Sequence, residues 1–487
     1  MPRVRCLMNR RILFPLLLAT VSGAATPLAR VRAQQPRADA AQTDTLRLTI
    51  GDAVTRALRE SDESRIAGAQ VEVAEAQVTS ARAAGLPQAR LAGSYSQVLR
   101  NARADAVNSL FRQNFNYNSN INVSQVLFQG GRIFAGARAA GDVRGASRLT
   151  VAETRAQLSV DVQRAYLNGL LQRELESIQQ RNLDLASERI ALVEKLLAAG
   201  RASRYDALRA RVERTNLEPA LLQSRNAREL ADIELRRILN IPATRPLSLT
   251  TEIDTAALRS VVQAIASDSS ADPTRPVERA AQLTLNARSE GVRVARADLL
   301  PTISAFFQTG YLAFPAGNGF PTIWGRSSHT FCAPSAPASQ SCQNNGWFAD
   351  RNFGLNISWP LFDGLRAKGA VDLAQAQEKI ARLQLAQQRE MVGVERARAR
   401  AEYRRAEAAF EAQRENVSQA DEAFRIATLR FERGLATQLE VSDAQFLLLT
   451  ARTNAARATI DYYLAAAELA RARGVDIPLP PTRPTTR

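Results

Sequence analysis

The chain has 487 residues, with 64 Lys and Arg against 48 Asp and Glu, one His, three Cys and a formal charge of +16. One histidine and three cysteines are a poor set for a metal centre, and the sequence contains no nucleophile elbow, P-loop or metal-binding helix motif. The arginines are spread beside acids at helical spacing, as on a solvated helix face, so nucleic-acid binding, a catalytic site and a cofactor are not expected.

Residues 1–33 read as a secretory signal. Arg3, Arg5, Arg10 and Arg11 precede an apolar run, Ile12–Val21, that is too short to span a bilayer. Val31-Arg32-Ala33 fits the small-residue cleavage rule, and Gly23-Ala24-Ala25 is an earlier alternative. Cys6 leaves with this segment. Residues 34–47 form a linker. No later stretch has the ~18 consecutive apolar residues of a membrane-spanning helix.

The rest of the chain is a duplication. Val126-Leu127-Phe128-Gln129-Gly130-Gly131-Arg132 returns as Pro360-Leu361-Phe362-Asp363-Gly364-Leu365-Arg366, and Gly200-Arg201-Ala202-Ser203 as Gly434-Leu435-Ala436-Thr437, both 234 positions later. Ala81–Pro87 returns as Ala295–Pro301 after only 214, so the second copy is about 20 residues longer ahead of its Leu-Phe landmark. Repeats of this size set the architecture. The copies cover residues 48–239 and 277–474, joined by residues 240–276, rich in Pro, Ser, Thr and Asp, and followed by a tail, 475–487.

Each copy reads helix, strand, loop, strand, very long helix, turn, helix. The first helix opens near Thr49, with Asp52 in a capping-box position, and runs to about Leu86, where Pro87 stops it. Its counterpart runs from about Val277 to Leu300. The period then switches from 3.6 to 2. Asn116, Asn118, Asn120 and Asn122 alternate with Tyr117, Ser119, Ile121 and Val123; Asn352, Gly354, Asn356 and Ser358 alternate with Phe353, Leu355, Ile357 and Trp359. Ile303, Ala305, Phe307, Thr309 and Tyr311 form another such face, and Leu91, Gly93 and Tyr95 a weaker one. These strands alone suit a barrel wall between lipid and water or a soluble sandwich equally well.

The long helices decide between them. Arg132–Ala199 and Arg366–Arg433 contain no proline, and each would be roughly 100 Å long at 1.5 Å per residue. Leu171, Ile178, Leu185 and Leu192 recur every seven, and Val417, Ala420, Phe424, Ala427 and Phe431 follow a 3-4-3-4 spacing, both coiled-coil stripes. Gly200 and Gly434 end the helices, and Ser203 and Thr437 can cap antiparallel returning helices. Pro219 predicts a kink or break in the first of these. Four strands cannot close a barrel, and an open sheet edge is forbidden in lipid, so membrane-spanning strands of this kind must come from several chains sharing one barrel.

The doubled Leu-Phe-x-Gly, the Leu-Pro before each first strand and the doubled Gly-x-Ala-[Ser/Thr] turn, in one order, resemble the TolC-like outer-membrane efflux proteins from about Leu48 to Gly474. The resemblance implies a mainly α fold with a membrane β-barrel. Three chains would give four strands each to the barrel, and their helices would form an α-barrel reaching into the periplasm. The function implied is a passive exit duct in the outer membrane, serving a tripartite efflux or type I secretion system and fed by an inner-membrane transporter through a periplasmic adaptor. Gly200, Ala202, Ser203, Gly434, Ala436 and Thr437 would be the tips that meet the adaptor. Glu440 and Asp443 fall where the family places acids that ring the closed entrance, with Glu440 longer than the family's usual Asp. Asp206 and Arg209 would tie neighbouring helices and hold the tip shut; the alternative is that all four are ordinary helix-start charges. Cys332 and Cys342, in a Gly/Pro/Ser/Asn-rich loop of an exported chain, are expected to pair as a disulfide. A periplasmic coiled-coil scaffold or adaptor is the rival reading, but it has no need of four alternating strands set between helices in two copies.

Overall fold

The computed structural model describes residues 45–100, 115–252, 259–260, 262–263, 273–313, 347–477 and 479–480. The signal segment, Cys332 and Cys342 lie outside the described residues.

In chain order the elements are β1 (Leu46–Leu48), α1 (Ile50–Glu60), α2 (Asp62–Ala83), β2 (Gln88–Gln97), β3 (Phe115–Gln129), α3 (Arg132–Ala198), α4 (Arg204–Ile238), β4 (Leu247–Leu249), α5 (Pro276–Arg296), β5 (Thr302–Ala313), β6 (Phe348–Ser358), α6 (Arg366–Glu432) and α7 (Gln438–Arg473). A 3-10 turn, Ala297–Leu299, ends α5. The duplication is carried through to the backbone. The starts of α3 and α6, and of α4 and α7, are 234 positions apart; those of α2 and α5, and of β2 and β5, are 214 apart. Each long helix has 67 residues, about 100 Å of continuous helix.

Two expectations are corrected. The first helix does not run unbroken to the proline. Ser61 ends α1 and caps α2 in extended geometry, its hydroxyl accepting a hydrogen bond from Ser64 N, with Asp62 and Glu63 in the following turn. That local alternative to helical bonding outcompetes continuation. Of the kink or break expected at Pro219, the break does not occur, because α4 continues through it. Thr215 and Pro219 are both exposed, so water can serve the Thr215 carbonyl that loses its N–H partner.

The seven-residue stripe on α3 also departs from expectation. Ile178 is buried, whereas Leu185 and Leu192 are exposed, and burial passes instead to Asn182, Ala186 and Val193. A straight helix drifts about 20° per heptad, so a strict seven-residue stripe rotates off the contact line.

The main core lies at mid-length. Leu158, Val162, Tyr166 and Leu167 of α3 pack with Ala53 and Ala57 of α1, Leu235 and Ile238 of α4, and Tyr462, Tyr463 and Ala466 of α7. Over it lies a pairing absent from the repeat pattern: β1 runs parallel to β4, with Leu46–Leu48 opposite Leu247–Leu249. The buried Tyr166 hydroxyl accepts from Thr251 N at 3.2 Å and lies 2.8 Å from the Leu48 carbonyl, tying that layer to α3.

Candidate functional site

Two places could carry function: the sheet and the helix tips. The sheet is antiparallel with order β2-β3-β5-β6, so each copy contributes a neighbouring pair of strands and the two pairs join at an internal seam between β3 and β5. The register sorts residue types by face. Leu91 pairs with Ile121, Val123 with Phe307, Phe307 with Phe353, Ala305 with Leu355 and Ile303 with Ile357. The alternate positions bring Asn118, Asn120, Asn122, Gln308, Asn352 and Asn356 to the other face. Leu91, Phe353, Leu355 and Ile357 are exposed. One face is therefore apolar and open while the other is amide-rich, as in a wall between lipid and a watery lumen. Gly310 is required where β5 meets β3, because a Cβ there would collide with the Ser119 carbonyl and Asn120. Within the chain β2 and β6 are edge strands.

At the tips, each long helix ends on a left-handed glycine, Gly200 at φ +72° and Gly434 at φ +76°, a conformation costly for other residues. Arg201 N and Ala202 N both donate to the Leu196 carbonyl, and Leu435 N donates to that of Arg430. The Arg201 guanidinium reaches the Gly434 turn, so the two tips lie side by side.

Ser203 and Thr437 are N-caps with complete capping boxes. Asp206 accepts from Ser203 N at 3.0 Å, and Glu440 accepts from Thr437 N at 3.1 Å. The bonds from Ser203 hold the Asp206 carboxyl below its ordinary pKa. Glu440 also lies 3.7 Å from Arg430. Arg209 donates to Glu213, one turn along its own helix, at 3.0 Å. Asp443 is exposed. Within one chain, then, Asp206, Arg209 and Glu440 are each bonded locally. The contact between hairpins is made by residues that the sequence did not single out. Arg189 of α3 donates to Ser442 of α7 at 2.9 Å and to Gln445, and Ser442 donates to Glu213 of α4 at 3.0 Å. Gln445 in turn donates to Asn182. Burial lowers the Arg189 pKa, with Glu213 opposing the shift. Beside this network Gln438 is buried with neither amide atom bonded. The available signal was four polar residues at buried-stripe spacing on α3 and α7, legible only once the stripe's drift is known.

A third cluster sits where α5 begins beside the end of α7. Arg275, 3% exposed, pairs with Glu153 of α3 and Glu395 of α6. Arg471 of α7 pairs with Glu395 and with Glu468, the latter at 2.9 Å. Burial pushes the Glu395 carboxyl up, but hydrogen bonds from Arg275 and Arg471 outweigh it and leave the pKa low. Among the described residues no group of three or more His, Cys, Asp or Glu side chains could hold a metal ion.

The family model for outer membrane efflux proteins matches residues 53–240 and 271–475. No curated protein sequence matches the chain. Among solved structures, the outer membrane protein VceC from Vibrio cholerae is similar at 21% identity and a TM-score of 0.69, over 88% of this chain and 97% of that one. The Campylobacter jejuni CmeC outer membrane channel aligns at 16% identity and a TM-score of 0.70, over 87% and 85%. The open-state Neisseria gonorrhoeae MtrE outer membrane channel aligns at 21% identity and a TM-score of 0.67, over 88% and 89%.

Proposed function

Since the chain belongs to the outer membrane efflux protein family, we propose that it is the exit duct of a tripartite efflux or type I secretion assembly. It is an outer-membrane efflux channel, not an enzyme, and it extends into the periplasm. In the proposed assembly three copies share one barrel, a periplasmic adaptor meets the turns at Gly200–Ser203 and Gly434–Thr437, and an inner-membrane transporter supplies the energy. Cargo moves down the lumen passively.

The observation that carries this reading is the four-stranded sheet with an exposed apolar face and two edge strands. Lipid cannot satisfy free strand edges, so β6 of one copy must meet β2 of another until the wall closes. Three copies give twelve strands, an even number within the range of bacterial barrels. Mass measurement of the detergent-extracted protein tests it. A trimer is expected; a stable, folded monomer would overturn the shared barrel. Co-purification of an adaptor and a transporter tests the partners.

At the entrance, Glu440 and Asp443 from three copies would supply six carboxylates around one axis, attracting cations and offering a plug site for a multivalent cation. Asp206 and Arg209 would brace the neighbouring helix starts.

A further inference from the structure

We propose that Arg351, with the hydroxyls of Thr309 and Tyr311, forms a binding site for the phosphate of an anionic lipid headgroup in the outer leaflet. The proposal rests on the reading of the sheet as a membrane wall and names the class of lipid that the wall selects.

The strand register places Arg351 on the apolar face. Rows of cross-strand partners run up that face from the end joined to the helices: Ile303 with Ile357, Ala305 with Leu355, Phe307 with Phe353, Thr309 with Arg351, then Tyr311 with Ala349. Among the described residues of this face Arg351 is the only charged side chain. It is exposed and forms no hydrogen bond or ion pair with another described residue. The adjacent acid, Asp350, belongs to the amide-rich face, where Asn352 donates to it at 3.5 Å.

An arginine on the lipid side of a barrel is costly at mid-bilayer and nearly free at the interface. Arg351 stands at an interface. The strands join helices at Gln88, Gln129, Thr302 and Ser358, so in a channel that extends into the periplasm the Phe348 end of β6 lies in the outer leaflet. Trp359 follows β6 at the helix end, exposed, with its indole N–H donating to the Leu299 carbonyl at 3.2 Å. Trp347 precedes β6 at the far end, edge-on to Tyr117 at 6.3 Å, and Tyr117 lies 5.0 Å from Tyr95. Aromatic residues thus mark both ends of the strand, as girdles mark both membrane surfaces. From Trp359 to Arg351 is about 27 Å along the strand, or about 20 Å across the membrane at the usual barrel tilt. The apolar band of such a barrel is about 25 Å tall. The Arg351 backbone therefore sits just inside the outer edge, and its long stem carries the guanidinium up into the headgroups.

An anion must meet it there, and the described chain does not supply one. The guanidinium only donates. Thr309 stands opposite and Tyr311 one diagonal on, both within reach of a long side chain across an antiparallel pair. Their hydroxyls add donors. β2, the strand that β6 would meet in the next copy, contains no acid between Gln88 and Gln97. A phosphate fits this set, because paired N–H groups of one guanidinium hold two of its oxygens at once. The rows beneath decide its source. Phe307, Phe353, Leu355 and Ile357 are exposed directly below the arginine, where they pack the acyl chains of a lipid whose phosphate is on Arg351. Free phosphate would gain nothing from them.

The test is native mass spectrometry of the full chain released from a non-ionic detergent, with a diacyl phosphatidic acid titrated in. One bound lipid per copy is expected. Arg351→Gln should raise the half-saturating concentration about tenfold or more, as loss of a charge-assisted hydrogen bond implies. Diacylglycerol with the same chains should bind both proteins weakly and equally, and inorganic phosphate should not displace the lipid. Arg90→Gln, on the amide-rich face, should leave the affinity unchanged. Equal affinity of parent and Arg351→Gln for phosphatidic acid, an equal loss in Arg90→Gln, or displacement by inorganic phosphate would each overturn the site and leave a trimeric barrel standing. A monomeric mass would instead overturn the barrel itself. Should Arg351→Gln not assemble, Thr309→Val with Tyr311→Phe decides: it keeps the arginine and the side-chain shapes, and should weaken phosphatidic acid several-fold but not diacylglycerol. Unchanged affinity in that variant overturns the proposal.

Discussion

Arg189 of α3 and Ser442 of α7, 253 positions apart in the chain, are joined by a 2.9 Å hydrogen bond that closes the tip of one hairpin onto the other. The guanidinium also reaches Gln445 and lies 3.7 Å from Glu213, so one side chain bridges α3, α4 and α7. Replacing Arg189 with Ala leaves Glu213 and Gln445 short of a partner, at a cost of about 1–3 kcal/mol for buried polar groups. Amide exchange in the first turns of α7 should accelerate while that of the mid-length core does not. Unchanged exchange at Gln438–Gln445 would show that the bridge does not hold the tip.

Glu440 has two tasks that substitution can separate. Its carboxylate completes the cap at Thr437, and its charge is proposed to ring the entrance. Glu440→Gln retains an acceptor for the cap and removes the charge. Combined with Asp443→Asn, it should lower the cation preference of single channels in a planar bilayer and weaken block by multivalent cations. Thr437→Ala should instead cost about 1 kcal/mol of local stability and leave selectivity alone. If the double variant conducts like the parent, the acids are only helix-start charges.

Arg275 holds Glu153 and Glu395 in one buried cluster. Its loss leaves Arg471 as the remaining counter-charge for both carboxylates, and Arg275→Ala should destabilise by roughly 1–3 kcal/mol, read as a lower urea midpoint. Glu395 gives the cluster a pH signature. Its pKa is depressed on folding, so its contribution is complete above the ordinary carboxylate value of about 4.3 and lost as pH falls through the lower folded value. The melting temperatures of the parent and of Glu395→Gln should differ at neutral pH and converge on acidification. A constant gap down to the acid limit would contradict this.

Tyr166 anchors the β1–β4 layer through its hydroxyl. Tyr166→Phe keeps the ring and strands Thr251 N and part of the Leu48 carbonyl's bonding, costing about 1–3 kcal/mol. Exchange should rise at Leu46–Leu48 and Leu247–Leu249 specifically. A uniform rise over α3 would point to a general packing defect instead.

Cys332 and Cys342 are expected to be bridged in protein taken from the outer membrane, restricting a long loop. Alkylation without reduction followed by mass spectrometry reads the state; two alkylated thiols would rule the bridge out.

Much of the architecture follows from local signals in the sequence. The period changes from 3.6 to 2 mark the strands, the glycines at 200 and 434 and the Ser203 and Thr437 caps mark the tips, and the repeated landmarks give the offsets on which the helices begin. Such signals are legible because backbone geometry and capping are decided within a few residues. Ser61 escaped notice because a two-sided cap competes with continuation over a single turn, and the break expected at Pro219 does not form because the cost of a proline depends on whether its side of the helix is wet. Tertiary structure alone decided what depends on contacts between distant residues. These are the parallel pairing of β1 with β4, the meeting of Arg275 with Glu153 and Glu395, and the bridge from Arg189 to Ser442. In each, the partners lie about 120 or more positions apart, so no local signal joins them, and the arginines and acids among them have the chemistry of ordinary surface residues until packing removes the water between them.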